Sequence, residues 1–464
     1  MKKSIILLIV LIIISTPVMA DNGKSLTERV KNAVAMSEPT INKYDVIGFA
    51  PFQIEIGVDA KGIITFFNIP ENQETPGIGA DLIADKVMYD TLIGKNIEEA
   101  KIDVRSGATL TSNAINVALE EAAADYIVSR SGSTDALVQK AEDYFAVKNY
   151  EKAIGWYEKA AELGNVSAMY SLGDCYYYGN GVSQSYEKAI EWYEKAAELG
   201  HVNAMNDLGY CYEKGYGVSR NYEKAVEWYE KAAELGNVKA INELGCCYYY
   251  GNGVSQSYEK AVELFEKAAK LNGASAMYNL GYCYEIGNGV SQSYEKAIEW
   301  YEKAAELGHV NAMNDLGYWY EKGYGVTQNY EKAVEWYEKA AELGNASAMY
   351  NLGDCYYNGN GVSQSYGKAV EWYEKAAELG NVKAINELGY CYYIGNGVSQ
   401  SYEKAVEWFE KAAKLNSVAA MYNLGYCYEI GNGVSQSYEK AIEWYEKAAE
   451  LGDTDAQQKL KELK

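Results

Sequence analysis

The chain has 464 residues, too many for one ordinary domain, so two or more folded units are expected. Apolar residues make up 48%, ample for packed cores, and the formal net charge is −23. That charge argues against nucleic acid as a partner and against docking on anionic lipid through a basic patch.

The chain opens with Lys2 and Lys3, followed by ten unbroken apolar residues from Ile5 to Ile14. "TPVMA" then supplies small-residue cleavage chemistry, so a signal peptide over residues 1–20, cut after Ala20, is expected. The apolar run is shorter than the roughly 20 residues a spanning helix needs. An uncleaved signal that holds the chain to a membrane is the alternative. No cysteine lies near the cut, so a lipid anchor is not supported. No later segment is long and apolar enough to span a bilayer. The mature protein is expected to be extracytoplasmic, periplasmic or secreted, with no direct membrane span after cleavage.

Residues 21–128 form a first domain of mixed strand and helix signals, an α+β pattern. "FQIEIGVDAKGIITFFNI" alternates about Asp59–Gly62 and reads as a β-hairpin whose turn contains Lys61 and Gly62. "ENQETPGIGADLIADKV" follows, a glycine-proline loop leading into a helical stretch. "GKNIEEAKIDV" reads as an edge strand. "DVRSGATLTSN" then crowds hydroxyls, a glycine and an aspartate around a helix start near Asn113. Alone, that motif reads as a helix cap and the glycine loop as a turn. Together they suggest a ligand. Free amides at a helix start make a phosphate site, and a glycine loop lets backbone approach a flat ring.

The two motifs, in this order and spacing, resemble the FMN-binding domain of the Rnf and sodium-pumping NADH:quinone oxidoreductase subunits and of exported flavin-dependent reductases. The matching residues are the hairpin, Glu74-Thr75-Pro76-Gly77-Ile78-Gly79, and Asp103 followed by Ser106-Gly107-Ala108-Thr109. In that family Asp-x-x-Ser/Thr-Gly-Ala-Thr is a flavinylation signal. The resemblance therefore implies FMN bound covalently, by a phosphoester to Thr109, with Thr111 as the alternative acceptor. It implies a flavin transferase that delivers the FMN half of FAD, and Glu74 and Thr75 bordering the ring or ribityl chain. Asn72-Gln73 replace the His-Ser-like pair common before the glutamate, and a cleavable signal stands where the family has a membrane-anchoring helix.

"SRSGSTD", within 129–135, marks a short flexible linker. The remainder, 136–464, is a repeat array. "AMYSLGDCYYYGNGVSQSYEKAIEWYEKAAELGHVN" begins at Ala168, and relatives begin every 36 residues at Ala204, Ala240, Ala276, Ala312, Ala348, Ala384 and Ala420. Eight full copies span 168–455, with partial copies from Asn149 and Ala456. Each copy carries two helical patterns. Ala168, Leu172 and Cys175 share one face of the first, and Gly179 and Gly181 break it. Ser185 caps the second, Tyr186, Ala189, Ile190, Tyr193 and Ala197 give its apolar face, and Gly200 ends it. An all-α solenoid of antiparallel helix pairs is expected. The frame "LG…YxxGxGV…YEKAxEWYEKAAELG", as in Leu172, Gly173, Tyr176, Gly179, Gly181 and Val182, resembles the Sel-1-like repeat, a relative of the tetratricopeptide repeat. That family implies an α/α superhelix serving protein–protein interaction, and no catalysis.

Cys175, Cys211, Cys247, Cys283, Cys355, Cys391 and Cys427 occupy one repeat position, with Trp319 filling it once. They read as small core residues too far apart to bridge. Cys246, next to Cys247, is expected to be an exposed thiol. His201 and His309 share another repeat position and cannot assemble a zinc framework. Three tyrosines in a row, Tyr176 to Tyr178, cannot all be buried, and exposed tyrosines suit protein recognition. The Glu and Lys of "YEKA" and "WYEKAAE" read as solvated faces with weak i,i+4 pairing. No catalytic residues and no metal ligands are identified. The expected function is an exported flavoprotein electron carrier rather than a stand-alone enzyme, with repeats that bind a redox partner or other protein ligand. The alternative is an exported scaffold whose repeats do all the work beside an unmodified first domain.

Overall fold

The computed structural model describes residues 40–46, 52–59, 62–68 and 133–463, with 92, 94–97, 116, 119–120, 122–124 and 126–128 between them. Three strands open the described chain: β1 (Thr40–Val46), β2 (Phe52–Val58) and β3 (Ile64–Asn68). They form one antiparallel sheet in chain order, with a register irregularity at Gly57/Val58 between β2 and β3. The β2–β3 hairpin turns where the alternation breaks. Asp59 accepts the Gly62 N–H through its backbone and the Ile63 N–H through its side chain, at 3.0 and 2.9 Å. Gly62 has φ +81, and a Cβ there would meet the Tyr126 ring at 2.8 Å, so the turn presses on the helical stretch that ends at Val128. β1 pairs with β2 along its whole length, although its sequence, "TINKYDV", alternates too weakly to be read as a strand. The expected edge strand after Gly94 is described only as far as a single antiparallel bridge, Ile63 to Asn96.

Nineteen helices follow among the described residues. Unit one of the chain, residues 1–220, contains α1 (Asp135–Ala146), α2 (Tyr150–Glu162), α3 (Val166–Tyr178), α4 (Tyr186–Glu198) and α5 (Val202–Lys214). Unit two, residues 221–464, contains α6 (Tyr222–Glu234), α7 (Val238–Tyr250), α8 (Tyr258–Lys270), α9 (Ala274–Ile286), α10 (Tyr294–Glu306), α11 (Val310–Lys322) and α12 (Tyr330–Glu342). It continues with α13 (Ala346–Asn358), α14 (Tyr366–Glu378), α15 (Val382–Ile394), α16 (Tyr402–Lys414), α17 (Val418–Ile430), α18 (Tyr438–Glu450) and α19 (Thr454–Leu463). Within each unit successive helices pack on one another, the pattern of a helix-pair solenoid.

The periodic residues explain the helix ends. Ser185, Ser257 and Ser293 accept the backbone N–H three residues on, and Asn237, Asn345 and Asn381 do the same one helix later. From α3 onward, the first helix of each pair ends on a glycine in the left-handed region, such as Gly287 at φ +86. Gly289, two residues on, is required twice: its φ is +73, and a Cβ would run into the Tyr258 carbonyl of the preceding pair. The mid-helix glycine has a different reason. Gly281 is helical, but a Cβ on it would lie 2.7 Å from the Tyr301 ring, so the aromatic packs directly on its backbone.

Unit one departs from the expected joint. α1 pairs with α2, so the partial copy from Asn149 is the second half of a complete helix pair. Asp135, expected as the last linker residue, is the first residue of α1. The Asn165 side chain donates to Thr134 Oγ1 at 3.0 Å and to Asp135 Oδ1 at 2.8 Å, which pins the end of the joint. One cluster of buried side chains then runs from Ile56 and Ile64 in the sheet through Leu119 and Ala123 to Leu137, Trp156, Leu172 and Cys175.

Candidate functional site

The flavin-site residues read from the sequence, Glu74, Thr75, Gly77, Gly79, Asp103, Ser106, Gly107, Ala108, Thr109 and Thr111, lie outside the described residues. What is described is the frame that brackets them. β3 ends at Asn68, ahead of the glycine loop. Between the two motifs the chain returns to the sheet: the Gly94 N–H donates to the Ile64 carbonyl and the Ile64 N–H to the Lys95 carbonyl, both at 2.8 Å, and the Ile97 N–H reaches the Gly62 carbonyl at 2.7 Å. Beyond the second motif, Asn116 and Leu119 are helical and buried. The described residues that flank the two motifs in sequence, Ile56, Ile64, Leu92, Ile97 and Leu119, belong to one cluster of buried side chains.

In the repeats, the chemistry-bearing side chains are organised by position. The second helix of each pair buries an aromatic, and in five pairs that aromatic is a tyrosine whose hydroxyl donates to an acid on the preceding helix. Tyr301 and Tyr337 donate to Glu285 and Glu321 at 2.6 and 2.9 Å, and Tyr445 donates to Glu429 at 2.7 Å. Tyr193 and Tyr373 donate to Asp174 and Asp354, one turn earlier, at 2.7 and 2.6 Å. Where the aromatic is Phe265 or Phe409, neither acid position holds an acid: the residues are Cys246 and Tyr249, and Tyr390 and Tyr393. A buried hydroxyl needs an acceptor and a phenyl ring does not, so ring and acid change together. The signal was in the sequence, but only for a reader comparing two positions across copies.

Between repeats, hydrogen bonds link first helices at a spacing of 37 residues. Tyr278 donates to Asp315 at 2.9 Å, and Asn279, Asn351 and Asn423 donate to Asn242, Asn314 and Asn386 at 2.9, 3.1 and 3.1 Å. Burial pushes the carboxyl groups of Glu285, Asp315, Asp354 and Glu387 above the usual carboxylate range, against the lowering effect of their hydrogen bonds.

The cysteines are free, and the seven at the shared repeat position are buried. Burial pushes the thiols of Cys175, Cys211, Cys283, Cys355 and Cys391 to about 12, far from a reactive thiolate. Cys246 is half-buried rather than exposed, and its sulfur accepts from the Asn279 side chain at 3.5 Å. His201 and His309 serve as helix caps, with Nδ1 accepting the N–H of Ala204 and Ala312 at 3.2 Å. Each ring stacks on a tyrosine, Tyr170 or Tyr278, at 4.4 and 4.5 Å. Among the described residues no group of His, Cys, Asp or Glu side chains could hold a metal ion, and no helix is long and apolar enough to cross a membrane.

The lysines of the "WYEKAAE" frame differ from expectation. Lys159 and Glu162 approach to 3.7 Å. In the later copies the same lysine lies over the tryptophan three residues before it: Lys195 over Trp192, Lys303 over Trp300, Lys375 over Trp372 and Lys447 over Trp444, each 4.0 Å from the ring centroid. A half-exposed indole face holds a cation where an exposed carboxylate gains little from one. Tyr176 and Tyr177 are half-buried and Tyr178 is 66% exposed, so the triplet divides as three consecutive helical positions must.

The Sel1 repeat family model matches nine successive segments between residues 144 and 453. The FMN-binding domain model matches residues 48–124, which contain both candidate motifs. Among solved structures, the chain is similar to a protective antigen of uropathogenic Escherichia coli displaying an SLR fold. Identity is 33% over 72% of this chain and 80% of that one, with a TM-score of 0.50. It is also similar to a Sel1 repeat protein from Oxalobacter formigenes, 31% identical over 66% of this chain and 90% of that one, with a TM-score of 0.52. No curated protein matches the chain. The chain belongs to the Sel1 repeat family, and it carries an FMN-binding domain ahead of its repeats.

Proposed function

We propose that the protein is an exported electron carrier in which FMN is attached by a phosphoester to Thr109 and the repeats dock a redox partner. The observation that carries this reading is the span of the FMN-binding match, which takes in the glycine loop at Glu74–Gly79 and the Asp103…Thr109 signal together. In the attachment step a flavin transferase breaks the pyrophosphate bond of FAD. The Thr109 oxygen takes the FMN phosphorus, the hydroxyl proton leaves to the transferase, and AMP departs. The remaining phosphate charge is stabilised by the amides of the helix start expected from the sequence near Asn113, by about 0.3–1 kcal/mol at an exposed site. Export gives the link its purpose: a dissociable flavin is lost by dilution outside the cytoplasm, and an ester is not. The bound flavin supplies one- and two-electron chemistry, and the protein supplies its orientation and surroundings.

Flavin fluorescence after denaturing electrophoresis tests this. The protein is co-expressed with a flavin transferase, alongside Thr109→Ala and Thr111→Ala. The band should fluoresce in the parent and in Thr111→Ala and be dark in Thr109→Ala. Fluorescence lost only in Thr111→Ala moves the site by two residues. A dark parent, from cells that flavinylate a related carrier, favours the scaffold reading.

A further inference from the structure

Every second helix of unit two, from α6 to α18, is followed by a leucine that the fold leaves in solvent. Leu235 and its equivalents at 36-residue intervals, as far as Leu451, are 48–58% exposed. Each is the cap residue of its helix, a place that asks for a backbone turn and not for an apolar side chain. A single exposed leucine is ordinary, but the same one at the same position of stacked repeats makes a row. The row has an acidic border. In α10, α12 and α14, Glu306, Glu342 and Glu378 stand directly before the leucine, and Glu299, Glu335 and Glu371 lie about two turns earlier on the same stripe, all exposed. The lysine between them lies over an indole: Lys303 over Trp300, Lys339 over Trp336 and Lys375 over Trp372, each at 4.0 Å. With every lysine counted the border stays negative, because α10 and α12 each carry four glutamates against two lysines, and α14 three against two.

We propose that this ridge docks a basic amphipathic helix of a partner protein, with its apolar stripe on Leu307, Leu343 and Leu379 and its lysines or arginines facing the glutamates. A helix carries apolar and cationic residues on adjacent stripes that run the same way, which matches a leucine row beside a glutamate row. A strand points neighbouring side chains to opposite faces. A second copy of this chain would bring like charge to the border, and the net charge of −23 opposes it. Anionic lipid is opposed for the same reason. The apolar contact supplies affinity, and the charges select the partner. The proposal rests on the reading of the repeats as a docking module and names the face and the chemistry they use.

The test titrates the full exported chain by calorimetry with the acetylated, amidated peptide Leu-Lys-Lys-Leu-Leu-Lys-Leu-Leu-Lys-Lys-Leu-Leu-Lys-Leu. One counterpart carries glutamate for every lysine, and another serine for every leucine. The parent peptide should bind at least about tenfold more tightly than either counterpart, and more weakly as salt rises. Leu307→Gln, Leu343→Gln and Leu379→Gln combined should cost about tenfold, with the urea midpoint read on the same variant. Glu306→Lys, Glu342→Lys and Glu378→Lys combined, a change confined to exposed side chains, should reverse the preference toward the glutamate peptide. Tyr282→Ser, Tyr390→Ser and Tyr426→Ser combined, on the first helices, should leave binding as it was. Full affinity in the leucine variant, an unaltered preference in the lysine variant, a loss in the tyrosine variant, or no binding by the parent overturns the proposal. Self-association that the leucine variant loses would assign the ridge to a second copy. Binding to phosphatidylcholine vesicles that the same variant loses would assign it to lipid, and either result overturns the partner helix. Flavin mass is read on the same samples. The peptide contact needs no flavin, so a failed titration counts against the ridge and leaves the carrier to its own test.

Discussion

At the residue scale, glycines at one repeat position differ from those at another, and the difference is measurable. Gly236 has φ +84 and open space around its α-carbon, so only its backbone angle matters. The chain itself places asparagine at the equivalent positions, Asn272 at φ 61 and Asn416 at φ 62. Asn272→Gly should therefore raise stability by a few tenths to about 1 kcal/mol, read as the midpoint of urea unfolding. Gly281→Ala should do the opposite. It gains about 1 kcal/mol of helix propensity and loses about 1–3 kcal/mol through overpacking against Tyr301, so a stabilised variant would contradict the packing described. The cap histidines give a pH dependence. Burial lowers the pKa of His201 and His309, with Asp207 opposing it at His201. The unfolded chain then takes up protons that the folded chain refuses, so stability is full above about pH 6.5 and declines as pH falls through that value. The raised carboxyls act in the other direction, contributing stability below their unfolded values near 4 that fades as pH rises through their folded ones. Replacing both histidines with asparagine, the cap used at Asn237 and Asn345, should flatten the loss of melting temperature between about pH 7 and 5. An unchanged slope would show that the caps are not its source.

At the scale of the element, the unit of design is the helix pair with its tyrosine–acid bond. Tyr301→Phe leaves Glu285 half-buried without its donor and should cost about 1–3 kcal/mol. Adding Glu285→Tyr recreates the combination found at Phe265 and Tyr249 and should recover most of it. A double-mutant cycle from urea melts measures the coupling, and additive losses would refute it. The helix pairs themselves were legible in the sequence because a 36-residue period, capping Ser and Asn and terminating Gly all mark the same boundaries. α1 was not, because "DALVQKAEDYFA" lacks the glycines and the cysteine of its equivalents. β1 was missed for a comparable reason: its alternation is weak, and pairing to β2 holds it in place. The lysine–tryptophan contacts escaped notice because a Glu-rich frame suggests ion pairs, whereas the i,i+3 geometry places the indole face under the ammonium.

At the scale of the whole chain, the sheet domain and the first helix pairs share one core within unit one, so they should open together. Hydrogen exchange should show Ile127 and Leu137 amides protected to a similar degree, and rapid exchange of the sheet domain alone would return the joint to a flexible linker. That shared core seats the sheet against the first helix pairs of unit one. The flavin motifs could be read in the sequence because chemistry fixes their residue types, and the family match over residues 48–124 agrees with that reading at the level of the domain. The central claim is the covalent flavin, and an intact mass of the exported protein tests it most directly. Cleavage after Ala20 plus one FMN less one water, with the added mass absent from Thr109→Ala, is the result expected. A mature protein at its bare polypeptide mass, from a host that flavinylates a related carrier in parallel, would contradict the account.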